Sequence, residues 1–243
     1  MSFLTAEWRK LVFINYTVAP ELLQAHVPKG TVLDIWEGKC LVSIVGFMFK
    51  NTKVLGCKMP GLHTFEEVNL RFYVKRKEGN TWKRGTVFIQ EIVPKRILSF
   101  VANTVYNEHY VTLPMSHTWK LTPETLDISY TWHKNNKEQS VSVHAKNNPK
   151  TLPENSEIEF ITEHYFGYTQ YNDSKTFEYE VTHPKWLYFK VENYNVNIDF
   201  ELNYGKEFAH LTTQKPDSVF LMEGSVITVE PKKTLKTDKK YLE

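Results

Sequence analysis

The chain has 243 residues, 41% hydrophobic and 14% aromatic, with 30 basic residues against 28 acidic ones for a net charge of +2. That length is ample for a real core, and the even, interspersed charge excludes a polyanion such as nucleic acid as a partner. No run approaches the roughly 18 apolar residues of a membrane span, and the opening MSFLTAEWRK has no apolar signal core, so a soluble, cytoplasmic protein with no membrane partner is expected.

The aromatics sit among Val, Ile and Thr, the composition of strands. In chain order, LVFINYTV (Leu11 to Val18) predicts a strand. APELLQAHVPKG predicts one short helix, with Pro20 at its start and Pro28 and Gly30 ending it. TVLDIW and CLVSIVGFMF predict two strands around EGK, the second too apolar to have a wet face. FEEVNLRFYVKRK and WKRGTVFIQEIV flank EGNT as a long hairpin. Alternation puts Phe65, Glu67, Asn69, Arg71 and Tyr73 on one face of the first strand, and Glu66, Val68, Leu70, Phe72 and Val74 on the other. Such a polar row is the wet side of a flat sheet. If the sheet curls, the same row lines a cavity.

The clearest helix follows Pro94, with Ile97, Leu98, Val101, Ala102, Val105, Tyr106 and His109 at helical spacing. WKLTPETLDISYTWH and QSVSVHA predict a second hairpin around NNKE. After a loop at 146–155, Ser156 and Glu159 make a capping box that starts a second helix. Strands resume at TFEYEV, WLYFKVENYNV and SVFLMEGSVITV, where Gly224 and Ser225 signal a bulge or close packing. The lysine-rich stretch 231–243 reads as a solvated tail, which leaves 1–230 as one domain without repeats. Many long antiparallel strands in one domain curl into a barrel or two packed layers, because open edges are a liability. The expected class is mostly β, with a few helices plugging or flanking the sheets.

The stretch EIVPKRILSF carries the main chemical signal. With Pro94 as the first helical residue, Lys95 and Arg96 fall in the first turn, where free N–H groups and the helix dipole disfavour cations. Three readings compete. Both side chains reach into water, or Glu91 and a neighbour neutralise them. Alternatively, Lys95, Arg96 and the free N–H groups converge on a carboxylate or phosphate. In the third reading Lys95, destabilised as an ammonium by a second cation and partial burial, is a Schiff-base nucleophile.

Two E-H-Y triplets, Glu108–Tyr110 and Glu163–Tyr165, sit at the expected helix ends. A histidine there is favoured by the dipole; the functional alternative is a carboxylate and imidazole pair transferring protons. The nine histidines show no metal spacing and there is no C-x-x-C, so no metal is expected. No glycine-rich phosphate loop or nucleophile elbow occurs, and no cofactor is expected. Cys40 and Cys57 read as two reduced thiols.

The run from NYTVAPELLQ to GFMF, then FEEVNLRFYVKRK, RGTVFIQEIVPKRILSFVANTVYNEHY, EFITEHYFGYTQ and THPKW together resemble the bacterial YqjF-like family of uncharacterised proteins, over nearly the whole chain. That family is similar to the acetoacetate decarboxylase superfamily. The resemblance implies antiparallel sheets curled into a cone or incomplete barrel around a pocket, with helices packed outside. The decarboxylases carry a glutamate, a spacer and Pro-Lys-Lys, whose first lysine forms the Schiff base. Here Glu91, Pro94, Lys95 and Arg96 stand in similar order, with a shorter spacer and with an arginine whose shape and solvation differ from those of lysine. CLVSIVGFMF has no acid where the decarboxylases place a pocket glutamate.

The resulting expectation is an electropositive pocket for a small organic anion, a carboxylate or keto acid. Lys95 and Arg96 would hold it, with Glu91, Arg71, Glu67 and Tyr106 around it. The alternatives are a Schiff-base lyase or decarboxylase acting through Lys95 with Glu91, and a non-catalytic protein whose β surface serves an assembly. Self-association is compatible with each.

Overall fold

The computed structural model describes residues 2–58 and 60–236; the side chains of residues 101, 105, 106 and 236 lie outside that description. The chain opens with β1 (Leu4–Val18), α1 (Pro20–Leu23) continued by a 3-10 turn, β2 (Val32–Leu33), β3 (Cys40–Val54) and β4 (Cys57–Lys58). The long hairpin β5 (Phe65–Glu78) and β6 (Thr81–Val93) leads to α2 (Arg96–Tyr106) and β7 (Tyr110–Thr112). A meander of β8 (Met115–Leu121), β9 (Thr125–Lys134) and β10 (Lys137–Lys146) precedes α3 (Glu157–Thr162), β11 (Phe166–Asn172) and β12 (Lys175–Thr182). The last third holds β13 (Tyr188–Phe189), β14 (Val191–Asn197), α4 (Phe200–Tyr204), a 3-10 segment (Lys206–Thr212), β15 (Ser218–Val229) and β16 (Lys233–Lys236).

Seven strands pair in the order β15-β1-β3-β5-β6-β11-β12, and β12 returns to β15 through Val181↔Val229 and Thr182↔Thr228. The sheet is therefore a ring, as curling predicted, but an irregular one. One step, β6 to β11, is a two-pair parallel contact, and the closing seam is equally short. A second sheet, β14-β10-β9-β8, packs on the outside.

Alternation on β5 explains both layers. Val68, Leu70, Phe72 and Val74 face outward, into one core with Tyr130, Trp132 and Val141 of the second sheet. Phe65 and Tyr73 face inward and join Phe13, Val45, Phe47, Ile158 and Phe160 in a second core inside the ring. A strand buried on both faces has no wet side, which is why the alternating row Glu67, Asn69, Arg71 is buried rather than solvated. α3 plugs one end of the ring with Ile158, Phe160 and Ile161. Its capping box is half formed. The Ser156 hydroxyl accepts from the Glu159 N–H, while Glu159 accepts from the Asn155 N–H instead of that of Ser156.

Several expectations shift. TVLDIW pairs only over Val32–Leu33, because Trp36 and Lys39 close their own turn. WKLTPETLDISYTWH divides into β8 and β9 at a turn where Thr122 accepts from the Glu124 and Thr125 N–H groups. α2 starts at Arg96, with Lys95 extended as its N-cap. It stops at Tyr106 because Asn107 adopts a left-handed conformation, with φ 58°, that ends a helix. α3 ends at Thr162, so neither E-H-Y triplet lies inside a helix. The α4 region was not expected at all; Asp199 caps it by accepting from the Leu202 N–H. Part of the expected tail, Lys233–Lys236, pairs with β12, because Leu235 turns to the core. Residues 237–243 lie outside the described residues. Cys40 is buried, Cys57 exposed, and both are free thiols. Among the described residues no helix is long and apolar enough to cross a membrane.

Gly224 meets the close-packing half of that expectation. It sits opposite Arg9 in a β1–β15 pairing whose register runs unshifted from Leu4 to Asn15; the register shift lies on the other side of β1, against β3, between Arg9 and Val12. A Cβ there would lie 1.9 Å from the Trp8 carbonyl oxygen, and φ is +81°. Gly224→Ala is expected to destabilise the fold by about 3 kcal/mol or more, combining the left-handed penalty with a backbone clash. Urea denaturation checks this, and a loss under about 1 kcal/mol would mean that β1 and β15 part freely at this point.

Candidate functional site

The ring encloses a cavity of about 270 Å³. Pairing registers arrange its wall in levels. Phe65 lies opposite Phe49, which lies opposite Trp8, so three aromatics share one level. One step inward Glu67 faces Phe47; next, Asn69 faces Glu91 across β5–β6, and Tyr110 lies beside Glu91 on the parallel β7. Arg71 comes last, opposite Phe88. Glu66, one residue off the row, points outside and meets His117 Nδ1 at 2.6 Å.

Three buried carboxyl groups gather at the middle levels. Glu67 accepts from Asn69 Nδ2 at 3.0 Å and from the Tyr110 hydroxyl at 3.1 Å. Glu108 accepts from the Thr169 hydroxyl at 2.6 Å and the Tyr179 hydroxyl at 3.0 Å. Gly167 makes the second contact possible, because a Cβ there would lie 2.1 Å from the Tyr179 ring. Glu91 Oε2 is buried without a hydrogen-bond partner among the described residues. Burial pushes Glu67 and Glu108 up to about 7, in each case against two hydrogen bonds that favour the carboxylate. Glu91 rises well above its ordinary value through burial first, then through the charges of Glu108 and Glu67. Three acids this close cannot all be ionised.

Arg71 is the only cationic side chain lining this cavity among the described residues. It is buried, its Nε has no hydrogen-bond partner, and no carboxylate lies within ion-pair distance of it. Its guanidinium lies 5.0 Å from the Phe13 ring centre and 5.6 Å from that of Tyr73.

Near it stand two histidines. His164 Nε2 is 3.2 Å from Asp34 Oδ2, and its Nδ1 is buried and unpartnered. Burial, opposed by the Asp34 bond, lowers His164 to about 4. Asp34 itself stays ionised. Burial raises its pKa, but hydrogen bonds from His164 and Arg84 and the Arg84 charge outweigh burial. With Asp34 as acceptor, the neutral imidazole carries its proton on Nε2. His183 stacks on Trp186 at 4.1 Å, and its Nδ1 meets the Pro184 carbonyl at 2.9 Å. The site thus offers neutral proton donors, a neutral imidazole and one unpaired cation.

The structure brings Glu67, Arg71 and Glu91 together and leaves Lys95 and Arg96 out. The Lys95 ammonium turns to the Gly61 carbonyl, Arg96 is exposed, and neither lines the cavity. The reason is local. Lys95 is an extended N-cap, so the strand-to-helix change aims it and Arg96 away, while Leu98 turns toward the cavity and Ile97, half exposed, sits at its rim. The Tyr106 side chain lies outside the described residues. Glu108 and His164 line the cavity, yet neither belongs to a carboxylate–imidazole pair within its own triplet; the partner of His164 is Asp34. Asp34, Tyr179, His183 and Trp186 escaped the sequence reading. For Tyr179 a signal existed, since Phe177, Tyr179 and Val181 alternate along β12. Asp34 had none, because its partners come from β5, β6 and the segment after α3.

A family model covering residues 5–226 matches the chain, that of the uncharacterized conserved proteins called DUF2071. The chain belongs to the DUF2071 family. Within reach of that family, it is 28% identical over 185 residues to the uncharacterized protein YqjF of Bacillus subtilis, covering 74% of this chain and 72% of YqjF. Among solved structures, the enduracididine biosynthesis enzyme MppR superposes with a TM-score of 0.69 at 10% identity, over 98% of this DUF2071 chain and 89% of MppR. Acetoacetate decarboxylase of Legionella pneumophila superposes with a TM-score of 0.61 at 12% identity, over 95% and 86%. The fold is acetoacetate decarboxylase-like.

No lysine lines the cavity among the described residues. Incubation with keto acids and borohydride is therefore expected to leave Lys95 unmodified; a reduced adduct on Lys95, read by peptide mass, would mean that α2 rearranges to deliver it.

Proposed function

We propose that the cavity binds a small organic carboxylate, with Arg71 as its counter-ion and the buried carboxyl groups as hydrogen-bond donors to its other oxygens. The observation that carries this reading is the unpaired guanidinium. A buried charge without a partner is costly, and Arg71 makes no ion pair or hydrogen bond among the described residues, its Nε being buried and only the more distant charge of Glu67 answering it. A ligand carboxylate would supply both, in the two-pronged geometry that a guanidinium favours. Glu67, Glu91 and Glu108 support the same reading. In their protonated forms they add no competing negative charge and turn O–H groups to the ligand. The positive character of the pocket is therefore confined to one side chain.

Acid–base chemistry on the bound acid is within reach of these groups, since a carboxyl near 7 and a neutral imidazole suit proton transfer at neutral pH. A structure of the similarly folded MppR in complex with pyruvate, at 11% identity, makes pyruvate a sensible first probe. Pyruvate, acetate and longer carboxylates are expected to raise the apparent melting temperature, while their amides and methyl esters do not. Equal shifts for acids and esters, or none for any acid, would remove Arg71 from the account.

A further inference from the structure

The cavity is chemically two-ended, and its ends are separated along the strands. Arg71 and His164 stand at one end, and Glu67, Glu91 and Glu108 in the middle. At the other end Trp8, Phe49 and Phe65 share a level, and Leu62, Val54 and Phe3 line the wall beyond them. Phe65 and Arg71 are six residues apart on one strand, so the levels span about 20 Å of strand length. The aromatic end is a built surface. Trp8 meets Phe47, Phe49 and Trp186 edge to face at 5.4, 5.9 and 6.2 Å, and Phe49 stacks on Phe65 at 4.7 Å. Apolar walls of this kind bind by taking hydrocarbon out of water, and they offer nothing to a small, fully polar acid such as pyruvate.

We propose that the ligand is an amphipathic organic acid, its carboxylate on Arg71 and an alkyl or aryl tail against Trp8, Phe49 and Phe65. This rests on the reading of Arg71 above and adds the class of ligand. Length and volume set the scale. About 20 Å of strand length, less the reach of the Arg71 and aromatic side chains, takes an extended chain of about eight to twelve carbons, and at about 270 Å³, below the roughly 300–1,000 Å³ of sites for drug-sized ligands, the cavity has room for one unbranched chain. The middle level adds a preference. Protonated Glu67 and Glu91 favour a ligand carrying an oxygen acceptor, an oxo or hydroxyl group, between head and tail.

Isothermal titration of the full chain with acetate, hexanoate, decanoate, phenylacetate and 1-hexanol tests this. Affinity is expected to rise about fourfold per added methylene, so hexanoate binds more than a hundredfold tighter than acetate. Tryptophan fluorescence is expected to respond to decanoate but not to acetate, and the response should shrink in Trp8→Phe. An affinity that is flat or falls from acetate to hexanoate overturns the amphipathic ligand and leaves the Arg71 reading standing. Hexanol binding as tightly as hexanoate overturns the Arg71 reading and leaves the apolar end. Binding of none of the five overturns both.

Discussion

Arg71→Met is expected to make the ligand-free protein more stable while destroying its affinity for carboxylates. The two effects have one cause. In the free protein the guanidinium makes no ion pair or hydrogen bond among the described residues, its Nε is buried, and the Phe13 and Tyr73 rings lie against it. Such ring contacts return about 1–2 kcal/mol together. The uncompensated burial of a charge costs several kcal/mol. Methionine fills a similar length of apolar space and removes the charge, so the midpoint of urea denaturation should rise by an amount worth about 1–2 kcal/mol. Binding of a short carboxylate should weaken at least about 100-fold, because a desolvated charge pair is worth roughly 3 kcal/mol or more. Arg71→Lys keeps the charge but loses the planar fork, and an intermediate loss of about tenfold is expected. A destabilised Arg71→Met protein that binds carboxylates as well as the wild type would show that Arg71 is structural.

Glu91→Gln is expected to stabilise the protein increasingly as pH rises. In the folded chain Glu91 holds its proton well above its ordinary value of 4.5, chiefly because it is buried, and the unfolded chain gives that proton up near 4.5. Between those two values the folded state binds one more proton than the unfolded state, so stability falls as pH rises. The contribution is fully present below 4.5 and is lost through the folded pKa at about 1.4 kcal/mol per pH unit. Gln carries no such proton. The stability difference between Glu91→Gln and wild type should be near zero at pH 4 and should grow in favour of Gln by about 1.4 kcal/mol per pH unit as the pH rises from 4.5 toward the raised folded value.

In the wild type, Glu67 and Glu108 add the same slope between 4.5 and about 7. His164, lowered from 6.5 to about 4, opposes them with one proton of opposite sign, and His26 and His183 do so more weakly. Three acids outweigh these, so the stability maximum should lie near pH 5. A Glu91→Gln difference that is flat with pH would mean that Glu91 is ionised in the folded state and has found a counter-ion.

How far the sequence foretold this site depends on the range of the forces involved. The β5 row was legible because alternation is local. Once the sheet curls, Glu67, Asn69 and Arg71 have only the cavity to face. The close packing at Gly224 and the Ser156 cap were legible for the same reason. The direction of Lys95 and Arg96 was not legible, because the helix starts two residues later than Pro94 suggests. A helix that starts at Arg96 instead of Pro94 makes Lys95 an extended cap, and its direction changes with its backbone. The carboxyl cluster was beyond reach. Glu67, Glu91 and Glu108 come from β5, β6 and the segment after α2, and only the registers Asn69↔Glu91 and Glu91↔Tyr110 bring them together. The pairing of His164 with Asp34, 130 residues apart, is of the same kind.

A crystal structure of the protein with hexanoate bound tests the central claim most directly. The carboxylate is expected inside the ring, both oxygens within about 2.7–3.2 Å of the Arg71 guanidinium nitrogens, with the hydrocarbon chain running toward Trp8 and Phe65. Hexanoate bound instead at the Lys95–Arg96 end of α2, or a cavity whose Arg71 meets no carboxylate oxygen, would contradict it.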